Sequence, residues 1–187
     1  MASSGPNFPS DYTAVIGGSG GFAPWINPNY ITADDTNYAT AAWGETCDIE
    51  AEITEQLQGL DYGFAIPGTA TIDGIEVKIN RMSDISSAMS DNFVSLIKAA
   101  SVVGDDKATG SFYPTSFAEA IYGGASDLWG TTWTPSQINA VDFGVAFESY
   151  VGASGSAAYV DYIKVTVYYT DSSGSGSGVN GKFFLLF

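Results

Sequence analysis

The chain of 187 residues has no histidine, one cysteine and only six lysine and arginine residues. Histidine is the commonest general base, so a serine nucleophile here would need a lysine as its base, and no such pairing is visible. The phosphate-loop sequence with its closing Lys-Ser or Lys-Thr pair is also missing. We therefore expect that the protein is not an enzyme.

The scarcity of cysteine and of positive charge limits the partners. A single cysteine, Cys47, excludes an internal disulfide. The net charge of −15 argues against nucleic acid and anionic membranes, which bind mainly through lysine and arginine. The first residues show no secretory signal, and no apolar run approaches the roughly 20 residues of a membrane helix, so we expect synthesis in a cytoplasm.

Alternating apolar residues are what the chain does have. Strands are predicted where apolar and polar residues alternate, around 62–66, 75–79, 143–147 and 160–170, with an apolar run at 93–97 and a weaker strand at 107–113. Thr134 followed by Pro135 predicts one short helical turn over 134–139, with threonine as the N-cap. Helical periodicity is otherwise nearly absent.

These elements predict an all-β protein, a jelly-roll-like antiparallel β-sandwich with that one helical turn. An immunoglobulin-like sandwich is the alternative, but the domain is longer than the ~100 residues of that fold and lacks its Cys…Trp…Cys pattern. Four segments are expected: an extended N-terminal arm (1–37), the sandwich (38–170), a Ser/Gly linker (171–181) and an apolar C-terminal segment (182–187). The arm could wrap its own domain or cross to another subunit.

Several segments of the sandwich resemble a jelly-roll domain of tailed-phage virion structural proteins, the type found in capsid decorations, head fibres and tail appendages. They are Ile66-Pro67, Ala70–Val77, Tyr122–Gly130, Trp133–Pro135, Asp142–Val145 and Val160–Tyr169. The resemblance covers about residues 38–170 and contains no catalytic signature. It implies a structural protein on the virion surface, synthesised in the host cytoplasm and bound to other virion proteins.

Three residues of the resembling segments could serve a site or the core. Trp129 and Trp133 are interpreted mainly as packing aromatics, with a sugar-stacking platform as the alternative. Asp161 falls on the face of Ile163 and Val165, so a regular strand would turn its carboxylate inward. We expect it to accept backbone N–H groups from a neighbouring loop, because an unpaired buried charge is too costly to keep.

No metal or other cofactor is expected, although two acidic loops could hold Ca²⁺. One contains Asp34, Asp35 and Asn37, and the other contains Asp105 and Asp106. Neither has the spacing of an EF-hand loop. Solvated loop charge is the simpler interpretation.

The end of the chain carries the main functional expectation. After the Ser/Gly linker come five consecutive apolar residues, Phe183, Phe184, Leu185, Leu186 and Phe187. Each could contribute roughly 1.5–3 kcal/mol when fully buried, before ordering costs. The segment could pack on its own domain, or anchor the chain to a partner by adding a strand or filling a groove.

We therefore expect a structural subunit of a virus-like particle, a homo-oligomer such as a trimer, that assembles through its sandwich and terminal segments. The alternative is a carbohydrate-binding module of a host-recognition protein, with Trp129 and Trp133 stacking on a glycan.

Overall fold

A computed structural model of the chain describes residues 1–15, 22–42 and 53–172. Within them the strands are Ala2–Asn7 (β1), Asp11–Val15 (β2), Phe22–Ala23 (β3), Ala39–Ala42 (β4), Ile53–Thr54 (β5), Gln56–Leu60 (β6), Thr71–Ser83 (β7), Met89–Lys98 (β8), Ser101–Val103 (β9), Ala118–Gly124 (β10), Gly144–Val151 (β11) and Ala157–Thr170 (β12). A 3-10 turn covers Pro28–Ile31, and a short helix, α1, covers Pro135–Ile138.

The strands form two sheets. In the first sheet the order is β1-β12-β7-β10, and β4 also pairs with β12; in the second, β11 pairs with β6, β8 and β5, while β2 flanks β6 and β9 flanks β8. All these pairs are antiparallel apart from the short parallel pair of β3 with β5. From β6 to β12 the chain passes repeatedly between the sheets, which gives the orders β4-β12-β7-β10 and β6-β11-β8-β9 of a jelly roll. The predicted fold class is confirmed.

The core lies between the sheets and follows from the alternation in the sequence. On β7 the side chains of Ile75, Val77 and Ile79 are fully buried, and the intervening residues are only partly covered. On β11, Val145 and Phe147 face them from the other sheet with no exposed surface. Burial of each such side chain stabilises the fold by about 1.5–3 kcal/mol.

The predicted helical turn is present and capped. Thr134 Oγ1 accepts a hydrogen bond from the Gln137 N–H at 3.4 Å, and Gln137 Oε1 accepts one from the Thr134 N–H at 3.0 Å. This reciprocal pair is a capping box, which satisfies N–H groups that the first helical turn leaves free.

No helix in the described part of the chain is long and apolar enough to cross a membrane.

Two strand predictions are wrong. Residues 62–66 follow β6 as an irregular segment, although Tyr62, Phe64 and Ile66 are buried as their spacing suggested. Residues 107–113 are also irregular, apart from one bridge between Phe112 and Ser90. Alternating burial does not require a ladder of backbone hydrogen bonds, and only the ladder defines a strand.

The segment predicted as an N-terminal arm lies against the sandwich. β1 pairs with β12 in the first sheet, and β2 pairs with β6 in the second. Residues 6–10 therefore cross from one sheet to the other. The boundaries at residues 37 and 170 stay predictions, and residues 173–187, with most of the linker and the whole apolar segment, lie outside the described residues.

Candidate functional site

A charged cluster lies between the sheets, where a jelly roll is otherwise apolar. Arg81 extends from β7 and binds both carboxylate oxygens of Asp91 on β8, at 3.0 and 3.1 Å. Tyr122 Oη donates to Asp91 at 2.9 Å and Thr109 Oγ1 donates at 3.2 Å. The carboxylate is thus fully partnered, and the ion pair joins the two sheets.

The protonation states of this cluster are fixed by its surroundings. Burial, and then the charge of Asp91, raise the pKa of Tyr122 and of Tyr113 well above the ordinary tyrosine value. Burial alone would lower the pKa of Arg81, but its tyrosine neighbours and Asp91 raise it. Both phenols therefore stay protonated and the guanidinium stays charged near neutral pH.

Sequence reasoning missed this cluster, although a signal was present. Arg81 comes two residues after Ile79 on the alternating face of β7, so the period of two already turned it inward. Asp91 could not be paired with it from the sequence, because the two strands lie in different sheets.

The two tryptophans of the resembling segments are buried. Trp129 has no exposed surface and its Nε1 donates to the Ile75 carbonyl at 2.9 Å. Trp133 is 8% exposed, donates from Nε1 to the Leu128 carbonyl at 3.1 Å, and packs edge-on against Phe143. Neither ring presents an open face on which a sugar could stack, which favours the packing interpretation.

Asp161 lies at an irregularity in β12. Val160 pairs with Arg81 while Tyr162 pairs with the adjacent Asn80, so Asp161 is an extra residue without a partner on β7. The inward direction predicted for a regular strand is therefore wrong. The carboxylate lies beside Asn80, on the outer face of the first sheet.

The predicted hydrogen bonding of Asp161 is confirmed in part, because one backbone N–H of a neighbouring loop and one side-chain amide bind it. Asn80 Nδ2 donates to its carboxylate at 2.9 Å and the backbone N–H of Asp35 donates at 3.4 Å. Burial raises the pKa of Asp161, the two hydrogen bonds oppose this, and the charges of Asp34 and Asp35 add to it. The segment around Asp35 thus covers the irregularity.

The two acidic loops considered for Ca²⁺ use their oxygens internally. Asp35 accepts hydrogen bonds from the backbone and the side chain of Asn37. Asp106 accepts from the backbone N–H groups of Val94 and Ala108 at 3.0 and 2.9 Å. Among the described residues no group of three or more cysteine, aspartate or glutamate side chains is placed to hold a metal ion.

A cleft of about 640 Å³ opens where residues 6–10 cross between the sheets. We call it the N-terminal cleft; its lining residues, all uncharged, are Pro6, Asn7, Phe8, Pro9, Ser10, Tyr12, Asn29, Thr32 and Tyr62. Asn7 Nδ2 donates to the Tyr62 carbonyl at 2.8 Å, and Ser10 Oγ donates to Asp61 at 2.7 Å. These bonds fix the crossing segment to the irregular chain after β6.

Tyr62 in the wall of the cleft has an unusual hydroxyl. The residue is 3% exposed, and its Oη is the one buried side-chain polar atom among the described residues that has no hydrogen-bond partner. The hydroxyl lies close to Gly59, where an added Cβ would stand 2.8 Å from it and 3.1 Å from the Pro9 ring. Burial raises the pKa of Tyr62 well above the ordinary value, so the group remains a donor.

No family model matches the chain, and no curated protein matches it. Among solved structures it is similar to a Stig cyclase from Fischerella sp. TAU, with 10% sequence identity over 79% of this chain and 86% of the cyclase, at a TM-score of 0.37.

This neighbour is an enzyme, which contradicts the expectation that the chain is not one, and that expectation is withdrawn. A likeness at this identity and TM-score transfers no activity. The resemblance to phage structural proteins stays a prediction beside it.

Proposed function

We propose that the chain is a structural subunit of a virus particle, a capsid decoration or appendage protein that assembles with itself and with other virion proteins. The observation that carries the proposal is the apolar run Phe183–Phe187 at the end of a Ser/Gly linker. A run of this kind has to be covered, because exposed it would promote aggregation.

The position at which the linker begins supports an intermolecular role. Strand β12 is paired with β7 up to Thr170, and Thr170 Oγ1 donates to Asp73 at 2.7 Å. The sandwich core is therefore built before the linker starts. About ten linker residues have a coil dimension of roughly 17 Å and a maximum reach near 35 Å, enough to place the apolar run on a neighbouring subunit.

The surface charge suits the same role. With 21 acidic and six basic residues, subunits repel one another unless a specific contact offsets the repulsion. The tethered apolar anchor would supply this specific contact, so assembly would depend on its docking. We propose the virion surface, after synthesis in the host cytoplasm, as its location.

Deleting residues 182–187 tests the proposal. We expect the truncated chain to keep the thermal midpoint of the sandwich within a few degrees and to lose self-association, as measured by analytical ultracentrifugation across a concentration series. Unchanged self-association of the truncated chain would overturn the proposal.

Two full-length controls distinguish specific docking of the anchor from nonspecific hydrophobic association. Replacing Phe183–Phe187 with five serines should reproduce the deletion. Rearranging the same five residues into a different order keeps their hydrophobicity, and it should weaken a specific anchor. Discrete oligomers formed equally well by the rearranged chain would contradict specific docking.

A further inference from the structure

We infer that the N-terminal cleft binds a neutral saccharide. This site is distinct from Trp129 and Trp133, and it does not depend on the assembly role of the C-terminal segment. The cleft volume of about 640 Å³ falls within the range of small-molecule sites.

The charge of the lining decides the class of ligand. None of the lining side chains is charged, in a chain whose net charge is −15. An anionic ligand would be repelled by the acidic surface, and the carboxylate beside the lining, that of Asp61, already accepts a hydrogen bond from Ser10 Oγ and so is not free for a cationic ligand. A neutral ligand is not repelled by the acidic surface and needs no carboxylate to bind it.

The polar groups of the lining match hydroxyl groups. Asn7 uses its Nδ2 to hold Tyr62, which leaves its amide oxygen as an acceptor. Asn29 makes no side-chain hydrogen bond within the described residues, so its amide offers both a donor and an acceptor. Sugar hydroxyls both donate and accept, so amide side chains are suited to them.

The lining also contains aromatic side chains, which suit the apolar C–H faces of a pyranose ring. Tyr12 on β2 lines the cleft and is 40% exposed, so part of its side chain is available to a ligand. Phe8, which also lines the cleft, packs edge-on against Tyr162, with ring centroids 5.8 Å apart. An aromatic face buries the C–H surface of a sugar, while the phenol hydroxyl stays free to bind water or ligand.

The hydroxyl of Tyr62 is an independent sign of a ligand. Buried polar groups in proteins almost always have a partner, so a lone buried donor in the wall of a cleft requires an explanation. The geometry points to a ligand oxygen as its acceptor, because Tyr62 and Pro9, which both lie beside Gly59, line the cleft.

The test is a titration of the full-length, ¹⁵N-labelled chain with neutral trisaccharides of glucose, galactose, mannose and N-acetylglucosamine, followed by amide chemical shifts. At least one should bind with a dissociation constant on the order of 0.1–1 mM and shift the side-chain amides of Asn7 and Asn29. Absence of binding by all four at about 10 mM would overturn the inference.

Three variants locate the site. Tyr12→Ala and Asn29→Ala should each weaken binding about tenfold, through loss of the ring face and of the amide. Tyr150→Ala is the matched control, because Tyr150 is a comparably exposed tyrosine, 36% exposed, outside the cleft. Equal weakening by Tyr150→Ala, or none by the cleft variants, would overturn the inference.

Tyr62→Phe tests the lone hydroxyl separately. It should weaken saccharide binding and leave the free protein at least as stable as before, a combination that a purely structural role would not produce. Unchanged affinity in Tyr62→Phe would contradict the assignment of the hydroxyl as a donor to the ligand.

Discussion

At the scale of single residues, two buried tyrosines differ in one respect that matters. Tyr62 and Tyr113 are each 3% exposed. Tyr113 shares a hydrogen bond of 2.9 Å with Ser149 Oγ, whereas Tyr62 Oη has no partner among the described residues. Their hydroxyls should therefore affect stability with opposite signs.

We expect Tyr62→Phe to raise the free energy of unfolding by about 1 kcal/mol, because the variant no longer buries an unsatisfied hydroxyl. Tyr113→Phe should lower it by about 1 kcal/mol, since Ser149 then loses its partner. Urea unfolding of the two variants and the parent measures both. A loss of stability in Tyr62→Phe similar to that in Tyr113→Phe would show that the Tyr62 hydroxyl is satisfied.

The ion pair of Arg81 with Asp91 predicts a much larger effect. Asp91→Ala should destabilise the fold by about 3–5 kcal/mol, because it leaves a guanidinium buried and unpaired. Glu76→Ala, which removes a partly exposed partner 3.7 Å from Lys78, should cost less than about 1 kcal/mol.

A double variant separates charge burial from packing at the same place. Arg81→Met combined with Asp91→Leu should recover most of the stability that Asp91→Ala loses, since neither charge then remains in the interior. Denaturant unfolding of the parent, Asp91→Ala, Glu76→Ala and the double variant measures these differences in the free energy of unfolding. A double variant as unstable as Asp91→Ala would indicate that the hydrogen bonds from Tyr122 and Thr109 matter more than the charges.

At the scale of elements, a group of charged and phenolic side chains joins three strands on the outer face of the first sheet. Glu119 on β10 accepts from Tyr162 Oη and from Lys164 Nζ of β12, both at 2.7 Å, and lies 3.7 Å from Lys78 Nζ on β7. The hydrogen bonds from Lys164 and Tyr162 hold the pKa of Glu119 below its ordinary value.

This lowered pKa predicts a pH dependence with a definite sign. Glu119 takes up its proton at a higher pH in the unfolded chain than in the folded one, so acid favours unfolding. The stabilisation is complete above the unfolded pKa of about 4.3 and is lost as the pH falls from there through the lower pKa of the folded chain. We expect Glu119→Gln to reduce the fall in thermal midpoint over this range.

Tyr162→Phe is the graded control, because it removes one donor to Glu119 and leaves Lys164 in place. It should reduce the acid-induced fall less than Glu119→Gln does. If both variants follow the parent curve, the acid response arises from other carboxylates.

At the scale of the whole molecule, the excess of acidic residues should weaken the fold at low salt. The chain carries a net charge of −15, and its self-repulsion is screened as the Debye length falls from about 30 Å at 0.01 M to about 8 Å at 0.15 M. We therefore expect the thermal midpoint to rise between these salt concentrations. Calorimetry in sodium chloride measures it.

Neutralising exposed acids should reduce this salt response. Asp34→Asn with Asp142→Asn removes one charge from an exposed position and one from a partly exposed position. The double variant should have a higher midpoint than the parent at 0.01 M salt and a similar one at 0.15 M. A midpoint that falls on adding salt would mean that attractive ion pairs outweigh the repulsion.

Much of the fold could be predicted from the sequence, because its causes are local. The period of two on β7 set its buried face, and Thr134 with Pro135 set the start of α1. Burial alone did not distinguish the irregular residues 62–66 from a strand. β1 and β2 carry no clear alternation, since their stability comes from pairing with β12 and β6.

By itself the sequence determined the all-β sandwich, the acidic surface and the apolar end of the chain, since patterning, charge and composition act locally or simply add up. Tertiary structure alone decided the rest. It buried Trp129, displaced Asp161 to the outer face, brought Arg81 onto Asp91 across the two sheets, and placed Tyr12 and Asn29 around one cleft beside Tyr62. Each of these depends on which distant strands become neighbours, and that is settled only when the two sheets pack together.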